Sequence, residues 1–236
     1  MLINFLNLCG GERMHIITED PRRSGRRAIL SLRIWLLTEA ANAVLAMLAI
    51  SGVGGFPGSI EDDVPTSIAD LVTDGMLLVG IVAYLAAAGF VLRWIYVATR
   101  NANALSDQMV VTPGWAVGRF FVPVLNLWKP FQGLAETWRA TVAPTAPDSV
   151  PTPALLRWWW GLWLASSLYD TIGARIALKA DTSKELVDAG WIDILRLVID
   201  VPLVIVLVRI ITQLSMMQSQ RLATSPMPIR TDDDSI

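Results

Sequence analysis

The chain has 236 residues, of which 53% are hydrophobic and only 17% are charged, and its mean hydropathy is +0.49. A net charge of -2 excludes the strongly basic surface of a nucleic-acid-binding protein. One histidine and one cysteine exclude a disulfide framework and a His/Cys metal cage. Because soluble domains carry about a quarter charged residues, this composition indicates an integral membrane protein.

Four stretches are long and apolar enough to cross a membrane, which requires roughly 20 apolar residues in a helix. They cover residues 34–56, 71–97, 155–178 and 191–214. The run VPLVIVLV at 201–208 lacks the polar face that a helix of a soluble bundle would carry. We therefore predict an all-α, polytopic membrane domain over residues 34–214, between a polar N-terminal tail (1–33) and a polar C-terminal tail (215–236).

The distribution of basic residues predicts the orientation. With four spans, nearly all arginines and lysines fall on one side, and only Lys179 and Lys184 fall on the other. A fifth candidate span at 113–131 would move Lys129, Arg139 and Arg157 to the sparse side. The positive-inside rule therefore favours four spans with both termini in the cytoplasm.

The segment 98–154 joins the second and third spans and is too apolar for a simple linker. Pro113, Pro123 and Pro130 divide it into pieces that are too short to cross a bilayer. We predict an interfacial or re-entrant element over 115–129 and a short amphipathic helix over 132–142 with a Glu136–Arg139 pair. The following APTAPDSVPTP (143–153) is interpreted as a linker, because its four prolines exclude a helix.

This loop carries a pattern of short motifs. They are RNANAL (100–105), PGWAVG (113–118), FVPVLNLWKP (121–130) and WR (138–139). In their proline, tryptophan and asparagine spacing they resemble the bacterial membrane-protein family known as domain of unknown function 4328. The resemblance implies a bacterial inner-membrane location, and the family brings no established activity or catalytic residue.

The loop is the first candidate functional site. Its tryptophans are amphipathic anchors, its basic side chains attract anionic groups, and Asn126 can both donate and accept hydrogen bonds. We expect contact with lipid headgroups or with a membrane-protein partner; the alternative is that these side chains only fix the loop at the interface. The candidate contact residues are Arg100, Asn101, Trp115, Arg119, Asn126, Trp128 and Lys129.

Polar side chains inside the predicted spans form the second candidate site, because such residues are costly in lipid unless they are paired. They are Glu39, Asn42, Asp74, Asp170, Arg196 and Asp200. Counting 1.5 Å per residue places Asp170 and Arg196 at similar depth, so we predict that they pair, with Asp200 or Asp74 nearby. Loss of either partner is expected to reduce the folded yield. The pair is either structural or part of a transport path, so a small transporter or channel is the alternative function.

No catalytic residue, metal site or cofactor is predicted. The run DTIGAR (170–175) lacks a glycine that the phospholipid-synthase signature requires, and no phosphate-binding glycine loop occurs. We therefore expect a non-enzymatic protein whose partners are membrane lipid or another membrane protein, and no nucleic acid.

Overall fold

The computed structural model describes residues 19–51, 68–177 and 183–224, and these residues are almost entirely helical. The helices are α1 (Pro21–Ser51), α2 (Ile68–Leu105), α3 (Pro113–Gly118), α4 (Lys129–Val142), α5 (Ala154–Ala177) and α6 (Ser183–Thr224). Short 3-10 turns cover Arg119–Phe121, Leu125–Leu127 and Pro147–Ser149. No strand occurs in these three ranges, so the predicted all-α class is confirmed there.

The long helices extend beyond the predicted spans. The 38 residues of α2 reach about 57 Å, nearly twice the thickness of a bilayer core. Residues 21–33, predicted as part of a tail, are the first turns of α1, and α6 continues past residue 214 to Thr224. The hydropathy pattern missed these extensions because their arginines lie on the exposed face, while Ala28 and Gln218 face the interior.

The pairs α1/α2, α1/α6 and α5/α6 run antiparallel, whereas α2 and α6 run parallel where they meet at Trp94–Ser215 and Ala98–Gln218. Trp35 of α1 packs edge-on against Tyr84 of α2, with ring centroids 5.9 Å apart, and Ser166 of α5 donates a hydrogen bond to Asp200 of α6. We call the end on which α3 and α4 pack the loop end, and the opposite end the far end. The loop end comprises α3, α4 and residues 21–35, 90–105, 154–163 and 203–224, and the far end comprises residues 36–51, 68–89, 164–177 and 183–202.

The hydrophobic core lies at the loop end. Trp94, Leu156, Ile210 and Leu214 are fully buried there, and α4 packs Trp138 with the rest of its apolar face against them. Such a face is what an amphipathic helix buries, and α4 begins three residues before the predicted start at residue 132. The loop therefore folds onto the bundle as an extra helical layer.

Two helical stretches, Pro21–Leu48 and Asp74–Leu105, are long and apolar enough to cross a membrane, judged by length and composition. Only 28% and 17% of their most apolar windows are buried, so most of that surface faces outward, unlike the core helix of a soluble protein. The predicted third and fourth spans, which lie in α5 and α6, are not among them.

Candidate functional site

A cluster of charged side chains joins α1, α5 and α6 at the far end. Arg196 lies at its centre: its Nε is 3.1 Å from Asp200 Oδ2 and 3.2 Å from Asp170 Oδ1, and its Nη1 is 3.4 Å from Glu39 Oε2. Arg196 and Asp200 are four residues apart on α6, which places both side chains on the same face of the helix. Three helices thus converge on one guanidinium group.

Hydrogen bonds from neutral side chains orient two of the carboxylates. Ser166 donates to Asp200 Oδ1 at 2.9 Å, and the indole N–H of Trp35 donates to Glu39 Oε1 at 3.2 Å. Exposure differs across the cluster, since Asp200 is fully buried, Glu39 is 14% exposed and Asp170 is 43% exposed. Asp170 therefore forms the outer rim of the cluster and Asp200 its interior.

The structure brings most of the predicted polar residues of the spans together. The Asp170–Arg196 ion pair is present, with Asp200 beside it. Glu39 joins the same arginine, a contact that the sequence did not indicate. Asn42 lies one turn from Glu39 and faces Gly80 of α2. A Cβ added at Gly80 would lie 3.0 Å from Asn42 Nδ2, so the two helices are close here. Asp74 is exposed, and no ion pair among the described residues includes it.

The composition of this cluster limits its chemistry. Three carboxylates surround one guanidinium group, so the cluster holds more acidic than basic groups, unlike a simple ion pair. Such an excess of negative charge favours the uptake of a proton by one carboxylate. No set of three His, Cys, Asp or Glu residues within the described ranges is arranged to hold a metal ion. The arrangement suits structural pairing or proton exchange.

The second site is a row of exposed apolar side chains on the loop, which we call the loop surface. It runs along α3 and the 3-10 turns that follow it. Its members and their exposed fractions are Trp115 (56%), Phe121 (71%), Val124 (64%), Leu127 (54%) and Trp128 (40%). The predicted interfacial element at 115–129 is therefore a series of short helical turns with one apolar side facing outward.

The bundle holds the loop surface in place from behind. Trp160 of α5 donates its indole N–H to the Leu127 carbonyl at 3.1 Å and stacks on Trp163 with ring centroids 4.7 Å apart. Thr112 caps α3, because its hydroxyl accepts a hydrogen bond from the Trp115 N–H. The apolar row is thus presented by a fixed backbone.

The predicted Glu136–Arg139 pair is wrong. The carboxylate of Glu136 accepts the backbone N–H groups of Val110 and Val111, while Arg139 lies 4.0 Å from Asp148. The i, i+3 spacing is compatible with the pair, but the Glu136 carboxylate instead accepts hydrogen bonds from two backbone N–H groups that precede α3. Glu136 therefore fixes the entry to the loop surface.

The polar candidates of the loop fall into two groups. Arg119 and Lys129 are half-buried beside the loop surface, with Arg119 Nη1 3.7 Å from a Cβ position at Gly133. Asn126 is half-buried in a 3-10 turn, and its Oδ1 accepts no hydrogen bond from the described residues. These three residues border the loop surface.

Arg100 and Asn101 lie in a different environment, and the burial of Asn101 corrects its prediction as a contact residue. Both lie in α2 at the loop end, and Asn101 is fully buried. Asn101 donates to the Glu19 carbonyl at 2.9 Å, and Arg100 Nη2 lies 3.5 Å from the Glu19 carboxylate. They hold the chain that leads into α1, so Asn101 cannot reach a headgroup.

The predicted linker also packs closely. Pro147 is buried, Ser106 donates its hydroxyl proton to the Pro144 carbonyl at 2.6 Å, and Gln108 donates to the Thr145 carbonyl at 2.9 Å. Prolines exclude an α-helix here, as predicted. The free carbonyl groups of this segment accept hydrogen bonds from Ser106 and Gln108, which directly follow α2.

Sequence reasoning missed a buried polar layer at the loop end. Gln218 of α6 is fully buried and donates to the Ala98 carbonyl at 2.8 Å and to Thr141 Oγ1 at 3.1 Å. Thr99 and Thr137 share a hydrogen bond of 3.2 Å in the same layer. These residues lie in segments that were predicted as tail or loop. The signal that could have indicated Gln218 is the helical spacing of apolar residues, which continues past residue 214.

The fold and its two sites define an all-helical protein with at least two helices suited to a membrane. The chain belongs to the family described as Domain of unknown function (DUF4328), which matches residues 60–216, so the resemblance seen in the loop motifs is confirmed. No curated protein and no solved structure matches the chain. Because the family description assigns no activity, any function has to be argued from the geometry.

Proposed function

We propose that this protein is a non-enzymatic, four-span protein of the bacterial inner membrane whose cytoplasmic loop surface contacts lipid headgroups. The observation that carries the proposal is the exposed apolar row from Trp115 to Trp128 with Arg119 and Lys129 beside it. Within the described ranges, no ion pair involves either basic side chain.

The exposed surface of the bundle supports a membrane environment. Large apolar side chains cover the far end, including Leu78 (63% exposed), Leu168 (62%) and Val198 (71%) on three different helices. A soluble monomer rarely exposes so continuous an apolar surface. Because α5 and α6 contribute to it alongside α1 and α2, we place all four long helices in lipid.

Exposed arginines support the orientation. Each long helix carries one or more at the loop end, and examples are Arg33, Arg93, Arg157 and Arg209. Arginine at these positions can extend to anionic phosphates while its aliphatic part stays in the apolar layer. The loop end is therefore the cytoplasmic end under the positive-inside rule.

Lipid fits the loop surface better than a protein partner does. Tryptophan prefers the headgroup layer, and each basic residue near anionic lipid contributes about 1 kcal/mol. The row is a narrow line of single side chains on short turns, a shape that inserts between headgroups. Capture of a membrane protein is the alternative result of the experiment.

Spin labelling tests the loop surface directly. In a Cys9→Ser background, a nitroxide at Val124 is compared with one at Ser149, which is also exposed but lies on the polar side of the loop end. After reconstitution in vesicles containing phosphatidylglycerol, we expect oxygen to relax the label at 124 and a water-soluble nickel chelate to relax the label at 149. Equal access of the nickel chelate to both positions would contradict lipid contact, and exclusion of both reagents from position 124 would indicate a protein partner.

Thiol labelling tests the four-span topology. A membrane-impermeant maleimide applied to intact cells is expected to modify a cysteine at Ser59, in the predicted outer loop, and not one at Ser149. The segment with Ser59 lies outside the described residues, so this prediction rests on the sequence alone. Labelling at 149 from outside would reverse the orientation.

A second candidate function, a small transporter or channel, is favoured by the three carboxylates around Arg196. An acidic excess of this kind among apolar helices suits a proton path. Proton uptake into vesicles with a pH-sensitive dye is the measurement, with Asp200→Asn as the variant. Uptake above that of empty vesicles that falls in Asp200→Asn would support transport, and no uptake by the wild-type protein would exclude a proton path.

A further inference from the structure

A groove of about 320 Å³ lies on the surface between α1 and α6 at the loop end. This volume is at the lower limit of small-molecule binding sites. Its lining residues are Arg22, Gly25, Arg26, Ile29, Ile211, Thr212, Ser215 and Met216. None of them belongs to the loop surface or to the Arg196 cluster.

The lining is ordered along the helices from charged to apolar. Arg22 and Arg26 are four residues apart on α1, so both guanidinium groups lie on the face that borders the groove. Ile29 follows one turn further toward the far end, and on α6 Ile211 lies one turn further toward the far end than Ser215. The groove therefore presents two cations at its outer opening and hydrocarbon further in.

Gly25 brings the two helices close enough to form the floor of the groove. A Cβ at this position would lie 3.0 Å from Ser215 Oγ and 3.1 Å from Ile211 Cγ2, so a side chain there would force these two side chains to shift. The Ser215 hydroxyl is itself engaged, because it accepts the indole N–H of Trp94 at 3.0 Å. The floor is thus fixed and offers little polar surface to a ligand.

We propose that this groove binds a single anionic phospholipid, with its phosphate on Arg22 and Arg26 and the start of an acyl chain against Ile29 and Ile211. The inference rests on the proposed membrane placement, in which the loop end lies at the cytoplasmic leaflet. There the order of the lining matches the order of a lipid, with phosphate toward the cytoplasm and hydrocarbon toward the bilayer.

Charge and shape together select this occupant. Exposed arginines at the inner leaflet attract any anion, but a free phosphate would leave the apolar wall unused. A neutral phospholipid would contact the apolar wall, but its headgroup has no net negative charge to balance the two arginines. A lipid with a net negative headgroup satisfies both parts of the groove.

The same helix provides a matched control for the arginines. Arg23 and Arg27 are also exposed and also four residues apart, but they do not line the groove. The double variants Arg22→Gln/Arg26→Gln and Arg23→Gln/Arg27→Gln therefore remove the same charge from the same segment. Only the first removes it from the groove.

The experiment titrates the detergent-purified full chain with dioleoyl phosphatidylglycerol and counts bound lipid by native mass spectrometry. We expect the dissociation constant of the first bound lipid to rise about tenfold in Arg22→Gln/Arg26→Gln and less than twofold in the control pair. Dioleoyl phosphatidylcholine is expected to bind at least tenfold more weakly than phosphatidylglycerol. Equal losses in both double variants would indicate diffuse attraction and overturn the groove.

Filling the groove tests the apolar part without changing charge. Thr212 lines the groove and its neighbour Gln213 does not, and both are exposed. Thr212→Trp is expected to weaken the first phosphatidylglycerol about tenfold, and Gln213→Trp to leave it unchanged. Unchanged binding in Thr212→Trp, or displacement of the lipid by inorganic phosphate, would overturn the proposal. Recovery of the protein from the aqueous fraction without detergent would instead overturn the membrane placement itself.

Discussion

The loop end and the far end belong to the same long helices, yet different contacts hold them together. At the loop end, large side chains such as Trp94, Leu156 and Leu214 are fully buried. At the far end, the buried hydrophobic residues within the described ranges are the alanines at 43, 83 and 87, and the large side chain that is fully buried is Asp200. One end has a hydrophobic core, and the other has close backbones around a charged cluster.

The proposed membrane placement accounts for this difference, because it puts the far end in the lipid interior and the loop end at the cytoplasmic surface of the bilayer. Where water surrounds a protein, moving large apolar side chains inside is the main source of stability. Where lipid surrounds it, those side chains gain little from burial, so small residues and polar contacts join the helices. The far end follows the second pattern, and each prediction below removes one contact from one of the two ends.

The largest effect is expected from Arg196→Ala at the far end. The substitution leaves Glu39 and Asp200 together with no positive partner from α6, and breaking a buried pair costs about 3–5 kcal/mol. The measurement is the thermal unfolding midpoint in detergent together with the folded yield. The control is Arg209→Ala, an exposed arginine on the same helix. Equal midpoints for the two variants would show that the cluster does not hold the far end together.

At the loop end, Ile210→Ala tests the hydrophobic core. Ile210 is fully buried, and removing such a side chain costs about 2–5 kcal/mol because a cavity remains. Ile205 on the same helix is 48% exposed, so Ile205→Ala is expected to change the midpoint little. A similar loss in both variants would mean that the two ends do not differ in how they use apolar side chains.

Length and hydropathy were sufficient to predict the long helices. Residues 71–97 fall inside α2, which contains one of the two stretches apolar enough to cross a membrane, and residues 191–214 fall inside α6, whose described residues contain none. The sequence failed at residues 21–33, where arginines lowered the hydropathy of a segment whose other face is buried. Hydropathy averages over all faces of a helix, so it cannot detect a segment whose arginines share one face while the opposite face packs against neighbouring helices.

The sites were predictable to different degrees. Equal position along the predicted spans was enough to pair Asp170 with Arg196, because an apolar helix offers a charged side chain few possible partners. Glu39 was missed as a third partner because depth does not show which helices are adjacent. Asn101 was misassigned because its motif lies beside the loop in sequence, while the fold encloses it under the chain that precedes α1.

Gln218→Ala is expected to have a smaller effect than either buried substitution above. It removes two hydrogen bonds and leaves the Ala98 carbonyl and the Thr141 hydroxyl short of a donor in a buried layer, at a cost of about 1–3 kcal/mol. Gln213→Ala, at an exposed position on the same helix, is the control for helix propensity. The check is again the unfolding midpoint, where 1 kcal/mol corresponds to about 2–4 °C for a chain of this size. Matching midpoints would place residues 215–224 outside the cooperative core.

The smallest effect is expected from Asp170→Asn. Asp170 is 43% exposed, and Arg196 keeps Glu39 and Asp200 when it is neutralised, so the loss should stay below about 1 kcal/mol. The sequence analysis expects a reduced folded yield on loss of either partner, and the exposure of Asp170 now ranks its loss below that of Arg196. Asp200→Asn is the matched comparison, since it makes the same chemical change at a fully buried carboxylate that Ser166 also contacts, and its midpoint should fall several times further. Equal midpoints for the two variants would mean that burial does not determine how much each carboxylate stabilises the fold. The far end would then depend on its total charge and not on one interior ion pair.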